Sequence, residues 1–453
     1  MKSVHKEPWI GDIPDEWNLK AIKRIVSTKV TDGPHETPDL EDSGVQFISA
    51  EAIKNNQIDF NQRRGFISQE LHELYCRKCK PQRGDIFVIK SGATTGNVAY
   101  VDVDFEFSIW SPLALIRCNQ RLAFFKYVYY VLLSDVFRKQ VELSWSFGTQ
   151  QNIGMGVIEC LKVPLPPLPE QQRIAAYLDA SCTAIDTAVA AKRRQLETLD
   201  ELCSSLLLRA ITMGLHERSE TQPTGAVVLP QIPIGWRLGR LKSVASIRYG
   251  LGQPPAELAT GVAMIRATDV DAGKIRTDKL LRVAPEDLPP DRNPYLKANE
   301  IIVVRSGAYT GDSAIVPAEL EGAVAGYDMV VTVTRASPRF VAYCLLSRYV
   351  LEGQLLLLTL RAAQPHLNAE ELGSVLLALP PTRKEQEAIV DFLDTKLAEV
   401  RRIALGIETQ IATLTAYRKS LIHEFVTGER RITETDVQRA AAQRGFDNPC
   451  PKG

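Results

Sequence analysis

From Leu168 to Met213 the chain reads LPEQQRIAAYLDASCTAIDTAVAAKRRQLETLDELCSSLLLRAITM, and this stretch decides how the rest is to be read. Its apolar residues fall at alternating steps of four and three: Leu178, Cys182, Ile185, Val189, then Leu196, Leu199, Cys203, Leu206 and Ala210, with Lys192 as the interruption. That spacing is a heptad seam. The same series returns at one constant offset, Leu393 answering Leu178, as Leu393, Leu397, Val400, Ala404, Ile407, Ile411, Leu414, Leu421 and Phe425, interrupted by Arg418. One such run is ordinarily a helix packed on its own domain. Two runs of equal length change that reading, because a helix of about 45 residues reaches roughly 65 Å at 1.5 Å per residue, farther than a small domain covers. The natural partner of each helix is the other.

Working outward, each helix is preceded by a related segment. Ile13-Pro-Asp-Glu-Trp17 and Ile232-Pro-Ile-Gly-Trp236 open two units, each followed by an apolar run suited to a strand, Val45–Ile53 and Val262–Val270. The strand Asp85-Ile-Phe-Val-Ile leads into Lys90-Ser-Gly-Ala-Thr-Thr-Gly-Asn97. Its counterpart Glu300-Ile-Ile-Val-Val leads into Arg305-Ser-Gly-Ala-Tyr-Thr-Gly-Asp312, at the same offset as the helices. Glycines in such loops serve tight turns with positive φ. A phosphate-cradling nucleotide loop is excluded by the lack of Gly-Lys-Ser/Thr. A second reading keeps the turn and adds contact with DNA through Lys90, Ser91, Thr94, Thr95 and Asn97, and through Arg305, Ser306, Tyr309 and Thr310.

Helical segments are expected around Phe124–Val141 and Phe340–Leu358. Each is followed by a Gln-containing turn, Phe147–Ile153 and Arg361–Leu367. Gln150, Asn152, Gln364 and His366 carry groups that read purine edges, and that equally cap loops. Proline-rich hinges, Val163–Pro169 and Leu379–Pro381, stop strand continuation and stiffen the joint to the long helices. Glu-Gln follows each hinge, with acid in the first helical turn suiting the helix dipole. A basic cluster of Arg63, Arg64, Arg77, Lys78, Lys80 and Arg83 reads either as a solvated face or as a DNA-backbone contact.

The chain has 453 residues, 45% hydrophobic and 24% charged, with 54 Lys and Arg against 54 Asp and Glu. That is ordinary globular composition. Zero formal charge excludes indiscriminate attraction to polyanions, so any nucleic-acid binding is local. Met1–Trp17 lacks the apolar core of a signal peptide. No run approaches the roughly 18 or more consecutive apolar residues of a membrane span. A cytoplasmic protein without membrane contact is expected. Among the eight cysteines, Cys76 and Cys79 form a lone Cys-x-x-Cys without a second ligand pair, so reduced thiols are favoured over zinc.

The expected fold is α+β: two similar α/β domains, which the resemblance described below makes target recognition domains, joined by two long helices in an antiparallel coiled coil with pseudo-two-fold symmetry. The expected boundaries are 1–165 for the first domain and 166–215 for the central helical spacer. The second domain follows at 216–380 with a linker at 216–231, then a C-terminal helical spacer at 381–430 and a polar tail at 431–453. A parallel pairing would require the short linker to return along the whole coil. Two similar heads on a rod suit duplex DNA with two separated half-sites.

These features together resemble the specificity (S) subunit of type I restriction-modification systems, over residues 9–430. The resemblance rests on the tandem Pro-x-x-Trp openings, the Ser-Gly-Ala-x-Thr-Gly loops, the Pro-x-x-x-Glu-Gln stretches at Pro166–Gln171 and Pro381–Gln386, and the heptad helices. It implies a DNA-recognition subunit reading a bipartite, asymmetric target, one domain per half-site. It implies two DNA methyltransferase (M) subunits as partners, usually with restriction (R) subunits. No cofactor is expected in this chain, and S-adenosylmethionine belongs to the methyltransferase partners. The second unit departs at Ala362-Ala363-Gln364-Pro365, where the first has Gly148-Thr-Gln-Gln151.

Two other classes compete with this reading. A self-sufficient methyltransferase needs Asn/Asp-Pro-Pro-Tyr/Phe, and Asn293-Pro-Tyr295 lacks the second proline and has no twin. No metal or catalytic constellation can be placed, so binding rather than chemistry is expected. A coiled-coil scaffold that ignores DNA shares the helices, but it has no need of two loop-rich heads with different surfaces.

Overall fold

The computed structural model describes residues 9–144, 152–216, 219–252, 255–289, 293–359 and 366–438. The chain divides into two compact units, Met1–Lys192 with Thr409–Gly453, and Arg193–Glu408. The boundary falls inside both long helices, so each unit is a sheet-rich head together with one half of each helix.

In the first unit a four-stranded antiparallel sheet runs in the order Thr31–Asp32, Leu113–Ile116, Ile86–Ile89, Val98–Tyr100. Beside it, Val45–Ile48 pairs antiparallel with Gly65–Ile67 and parallel with Phe107–Ile109. The two central strands of the first sheet are buried at every position, because alternate side chains leave a strand on opposite faces. Ile86, Val88, Ala114 and Ile116 enter the core shared with the helix Phe125–Leu133. Phe87, Ile89, Leu113 and Leu115 enter the core shared with Phe107 and Ile109. Burial on both faces explains why these strands read as continuous apolar runs rather than alternating ones.

The second unit repeats the plan. Its sheet runs Ala245–Tyr249, Met329–Val333, Ile301–Val303, Ser313–Ile315. Val262–Ile265 pairs antiparallel with Leu281–Val283 and parallel with Val324–Ala325. Ile301, Val303, Met329 and Val331 face the core that holds Phe340 and Leu345. Ile302, Val304 and Val330 face the opposite cluster.

The heptad seam is real. The first helix spans Leu168–Met213 and the second Arg383–Thr427. Within the first unit, Leu178, Cys182, Ile185 and Val189 share a core with Leu421, Ile422, Phe425 and Val426, and Ile411 and Leu414 pack against it. The Tyr177 and Phe425 rings are centred 4.8 Å apart, and Arg418 lies 3.0 Å from Asp186. Rising numbers on one helix meet falling numbers on the other, so the helices run antiparallel. Within the second unit, Ala210 and Ile211 share a core with Leu393 and Leu397, and Cys203 and Leu207 pack against it. Leu196, Leu199 and Leu206 are half-buried, while Val400 and Ile407 are buried. Arg418, the polar interruption, therefore forms a cross-helix ion pair. The first helix does contain an 18-residue window of mean hydropathy 1.2, long and apolar enough to cross a membrane by composition alone. The seam accounts for much of that apolarity.

Two hinge expectations need correction. Lys162–Leu165 is itself a strand, pairing with Asn18–Ala21 and including Pro164. Proline is tolerated because the pair is only two strands wide, leaving edges where no N–H is required. The corresponding strand Leu376–Leu379 pairs with Arg237–Arg240. The expected linker also has structure, since Thr221–Pro223 and Gln231–Pro233 form an antiparallel hairpin.

The Glu-Gln pairs have a shared mechanical role. Gln171 is fully buried; its carbonyl accepts from Phe124 N at 2.8 Å, and its amide donates to Leu122 O at 3.1 Å and Pro166 O at 2.9 Å. Gln386 accepts from Ser337 N at 2.7 Å and donates to Pro380 O at 3.2 Å. Each glutamine ties the start of a long helix to the start of the helix that covers the sheet, satisfying N–H and C=O groups that a helix terminus leaves orphaned.

Candidate nucleic-acid interface

The loops with Ser-Gly-Ala are tight turns, as their glycines suggested. Gly92 and Gly96 have φ of 100° and 91°, and Gly307 and Gly311 have 89° and 96°. The Thr95 hydroxyl donates to Gly92 O at 2.6 Å, and the Thr310 hydroxyl to Gly307 O at 2.7 Å. These two hydroxyls hold the turn. Thr94, Asn97 and Tyr309 are exposed, while Ser91 and Ser306 are half-buried.

The structure also brings together what the sequence lists far apart. Ile153 N donates to Lys90 O, and Leu367 N to Arg305 O, each at 2.8 Å. Ser91 bridges to Asn152, and Ser306 to His366. The end of the Gln-containing turn thus lies against the Ser-Gly-Ala turn in both units. Gln150 and Gln364 lie outside the described residues.

At this junction the units diverge. Lys90 is buried and ion-paired with Asp32. Lys78 joins the same carboxylate at 2.6 Å and Gly33 O at 2.8 Å. Burial alone would raise the Asp32 pKa, but the hydrogen bonds from Lys78 and Lys90 outweigh it and hold the carboxyl below its usual range. Lys90 is therefore not an outward-facing phosphate ligand, because its charge is spent inside the head. Asp32 pairs with Ala114, next to Val88. In the second unit Tyr249 pairs with Met329, next to Val303, so it occupies the equivalent place. Arg305 stands where Lys90 does, and its guanidinium lies 4.6 Å from the Tyr249 ring centre and 4.2 Å from that of Tyr327. Its Nη2 donates to His366 Nε2 at 3.1 Å, since a guanidinium offers donors only. Its backbone N–H donates to Asp328 Oδ1 at 3.2 Å. Burial pushes the Asp328 carboxyl up to about 6.

The basic cluster of the first unit is largely matched by acids. Lys80 pairs with Glu106, Arg83 with Asp102 at 2.9 Å and Asp104 at 2.7 Å, and Arg64 with Glu51 at 3.4 Å. Arg64 also lies 4.1 Å from the Trp110 ring centre, and Arg63 lies 4.5 Å from that of Phe66. Arg77 is exposed. The patch is a network of ion pairs and cation–π contacts rather than a row of free cations.

Sequence reasoning missed Asp32, Tyr249, Tyr327 and Asp328. Tyr327 and Asp328 are the repeat counterparts of Pro112 and Leu113, at the offset that relates Arg305 to Lys90, so the repeat would have exposed them as differences. Asp32 and Tyr249 do not share that offset, and a search at constant spacing passes them by.

Each unit thus carries a sheet-and-loop head of one plan beside an antiparallel stretch of the two long helices. The chain matches the family described as type I restriction modification DNA specificity domain over residues 14–198 and 233–412, and it belongs to that family. It is similar to the specificity subunit of the type I restriction enzyme EcoBI of Escherichia coli, at 25% identity over 73% of this chain and 72% of that one. It is 21% identical to the specificity subunit of the type I restriction enzyme MjaVIII of Methanocaldococcus jannaschii, over 93% and 94% of the two chains. A chain from a structure of type I restriction-modification complex assembly and conformational transition shares the fold. Its TM-score is 0.71 at 17% identity, over 92% of this chain and all of that one. The protein is thus a DNA-recognition subunit, whose contribution is binding rather than catalysis.

Proposed function

We propose that this chain reads a bipartite, asymmetric DNA target, each unit recognising its own half-site, while docking two methyltransferase subunits and, in the complete system, restriction subunits. S-adenosylmethionine is then the cofactor of the methyltransferase partners, and the complex works in the cytoplasm. The observation that carries the reading is the two-loop junction: one backbone framework, built twice, bearing Lys90 locked to Asp32 in one unit and Arg305 between tyrosines in the other. Shared framework with unshared side chains is what two different half-sites ask for.

Footprinting of the chain co-expressed with its methyltransferase tests this. Two protected patches with an unprotected spacer support the reading, and protection without sequence preference favours a scaffold. Exchange of residues 1–165 for the matching segment of a relative is expected to change one half of the recognised sequence. A change in both halves would break the one-unit, one-half-site assignment.

A further inference from the structure

Arg305 is the centre of a small aromatic and basic surface whose tyrosines have no aromatic counterpart among the described residues of the first unit. Tyr249, Tyr309 and Tyr327 are 41%, 49% and 44% exposed, and His366 is exposed beside them. Aligned on the shared sheet, these three tyrosines replace Asp32, Thr94 and Pro112 of the first unit. Large exposed aromatics around a cation are costly to leave in water without a ligand that stacks or accepts hydrogen bonds.

The geometry narrows the ligand. The Tyr249 and Tyr327 rings both lie against the guanidinium, 4.6 and 4.2 Å from its carbon to the ring centres, and restrict its movement. Among the described residues the buried Nε has no hydrogen-bond partner, and Nη2 spends one hydrogen on His366. The donors left for a ligand are Nη1 and the second hydrogen of Nη2, a planar fork that demands two adjacent acceptors. Asp328 touches the backbone N–H of Arg305, and among the described residues no carboxylate forms an ion pair with the guanidinium, unlike Lys90 on Asp32. A guanidinium fork fits two phosphate oxygens as well as two base acceptors, but the exposed tyrosine rings beside it offer stacking and apolar contact to a base and nothing to a phosphate. In the major groove the base presenting two adjacent acceptors is guanine, through N7 and O6.

We propose that Arg305, positioned by Tyr249, Tyr327 and His366, reads a guanine in the half-site recognised by the second unit, and that the corresponding Lys90 reads no base. The proposal rests on the reading that each unit recognises its own half-site.

The test uses the full chain co-expressed with its methyltransferase. The wild-type target is first mapped from the methylated positions in genomic DNA, and a wild-type complex without sequence preference would defeat the DNA-reading role itself, and this proposal with it. Given a target, R305K and R305Q are compared with K90Q on oligonucleotides substituted at every position. The expected result is about ten- to hundredfold lost discrimination at one G·C pair of one half-site, with the other half-site intact and the salt dependence of binding unchanged. H366A, at an exposed position, should weaken discrimination at that same pair, and it covers the case in which an Arg305 variant fails to fold. K90Q should leave every base preference in place. A uniform loss across all sequences with a shallower salt dependence would identify Arg305 as a backbone contact and overturn the proposal. Unaltered discrimination in R305Q would overturn it equally.

Discussion

Each unit begins its central strand with a buried carboxylate, and each neutralises it with arginine, but the arginine comes from a different strand. In the first unit Asp85 accepts from Arg117 at 2.7 Å through both of its oxygens. Arg117 directly follows the strand Leu113–Ile116. In the second unit Glu300 is met by Arg248 of the strand Ala245–Tyr249, through Nη2 at 2.7 Å, and by the Thr332 hydroxyl at 2.6 Å. Thr332 is the repeat counterpart of Arg117, at the offset that relates Glu300 to Asp85, so arginine and threonine have traded strands. By the sheet alignment Arg248 corresponds to Thr31. What the sheet requires is the ion pair, whichever strand supplies it. The junction of the two loops shows the opposite behaviour: there the backbone repeats and the chemistry does not.

The largest expected effect tests the first half of that contrast. R117T leaves Asp85 buried without its cation and should destabilise the protein by about 3 kcal/mol, measured by chemical denaturation. Adding T31R recreates the arrangement of the second unit and should restore much of the loss; no recovery would mean the two sheets are not interchangeable. Next, the glutamine ties are the same in both units, so Q171A and Q386A should each cost about 2 kcal/mol by orphaning a buried N–H. A large cost for one and none for the other would separate the units where the structure makes them alike.

Asp328 has Leu113 as its counterpart, and its consequence depends on pH. Its carboxyl, pushed up by burial to about 6 in the folded state, binds protons more tightly than in the unfolded chain. Its contribution is therefore fully present below the unfolded carboxylate range near pH 4 and is lost as pH rises through about 6. D328N should leave stability unchanged at about pH 4 and raise it by up to about 2 kcal/mol at about pH 8. A stability gain that does not grow with pH would contradict the assignment. The smallest contrast is at the opening tryptophans. Trp236 Nε1 donates to Glu385 at 2.9 Å, whereas among the described residues the buried Trp17 Nε1 has no hydrogen-bond partner, and Glu170 is bound by Arg431 at 2.9 Å. Replacement by phenylalanine should cost about 1 kcal/mol more at position 236 than at position 17, again by denaturation.

Much of the fold was legible because it is periodic. The heptad steps marked both long helices and their mutual packing, and the fixed offset paired the two heads at the strands Ile86–Ile89 and Ile301–Val303 and the loops that follow them. The hairpin at 221–233 and the strand through Pro164 were not, since short pairings depend on partners distant in sequence rather than on local pattern. The site was legible only as loops. Glycine spacing identified the turns, and residue type singled out Arg305 and His366. That Lys90 is neutralised lies in Asp32, far earlier in the chain, and no local rule links the two. The ion pairing of the basic cluster was hidden for the same reason, since its acidic partners at 51, 102, 104 and 106 arrive from elsewhere in the chain.

The division of the chain sets an order of assembly. The second unit is one uninterrupted segment, Arg193–Glu408, while the first closes only with residues from Thr409 onward. Leu178, Ile185 and Val189 find their cover in the second helix between Ile411 and Val426, which leaves the ribosome only after the whole of the second unit has been made. At about 5–20 residues per second, the head synthesised first waits on the order of 10–45 s for the last helix, with an apolar stripe uncovered in the meantime. The nascent chain is thus most exposed to chaperones and proteases at its beginning, and a premature stop anywhere before the second helix leaves the earlier-made unit unfinished.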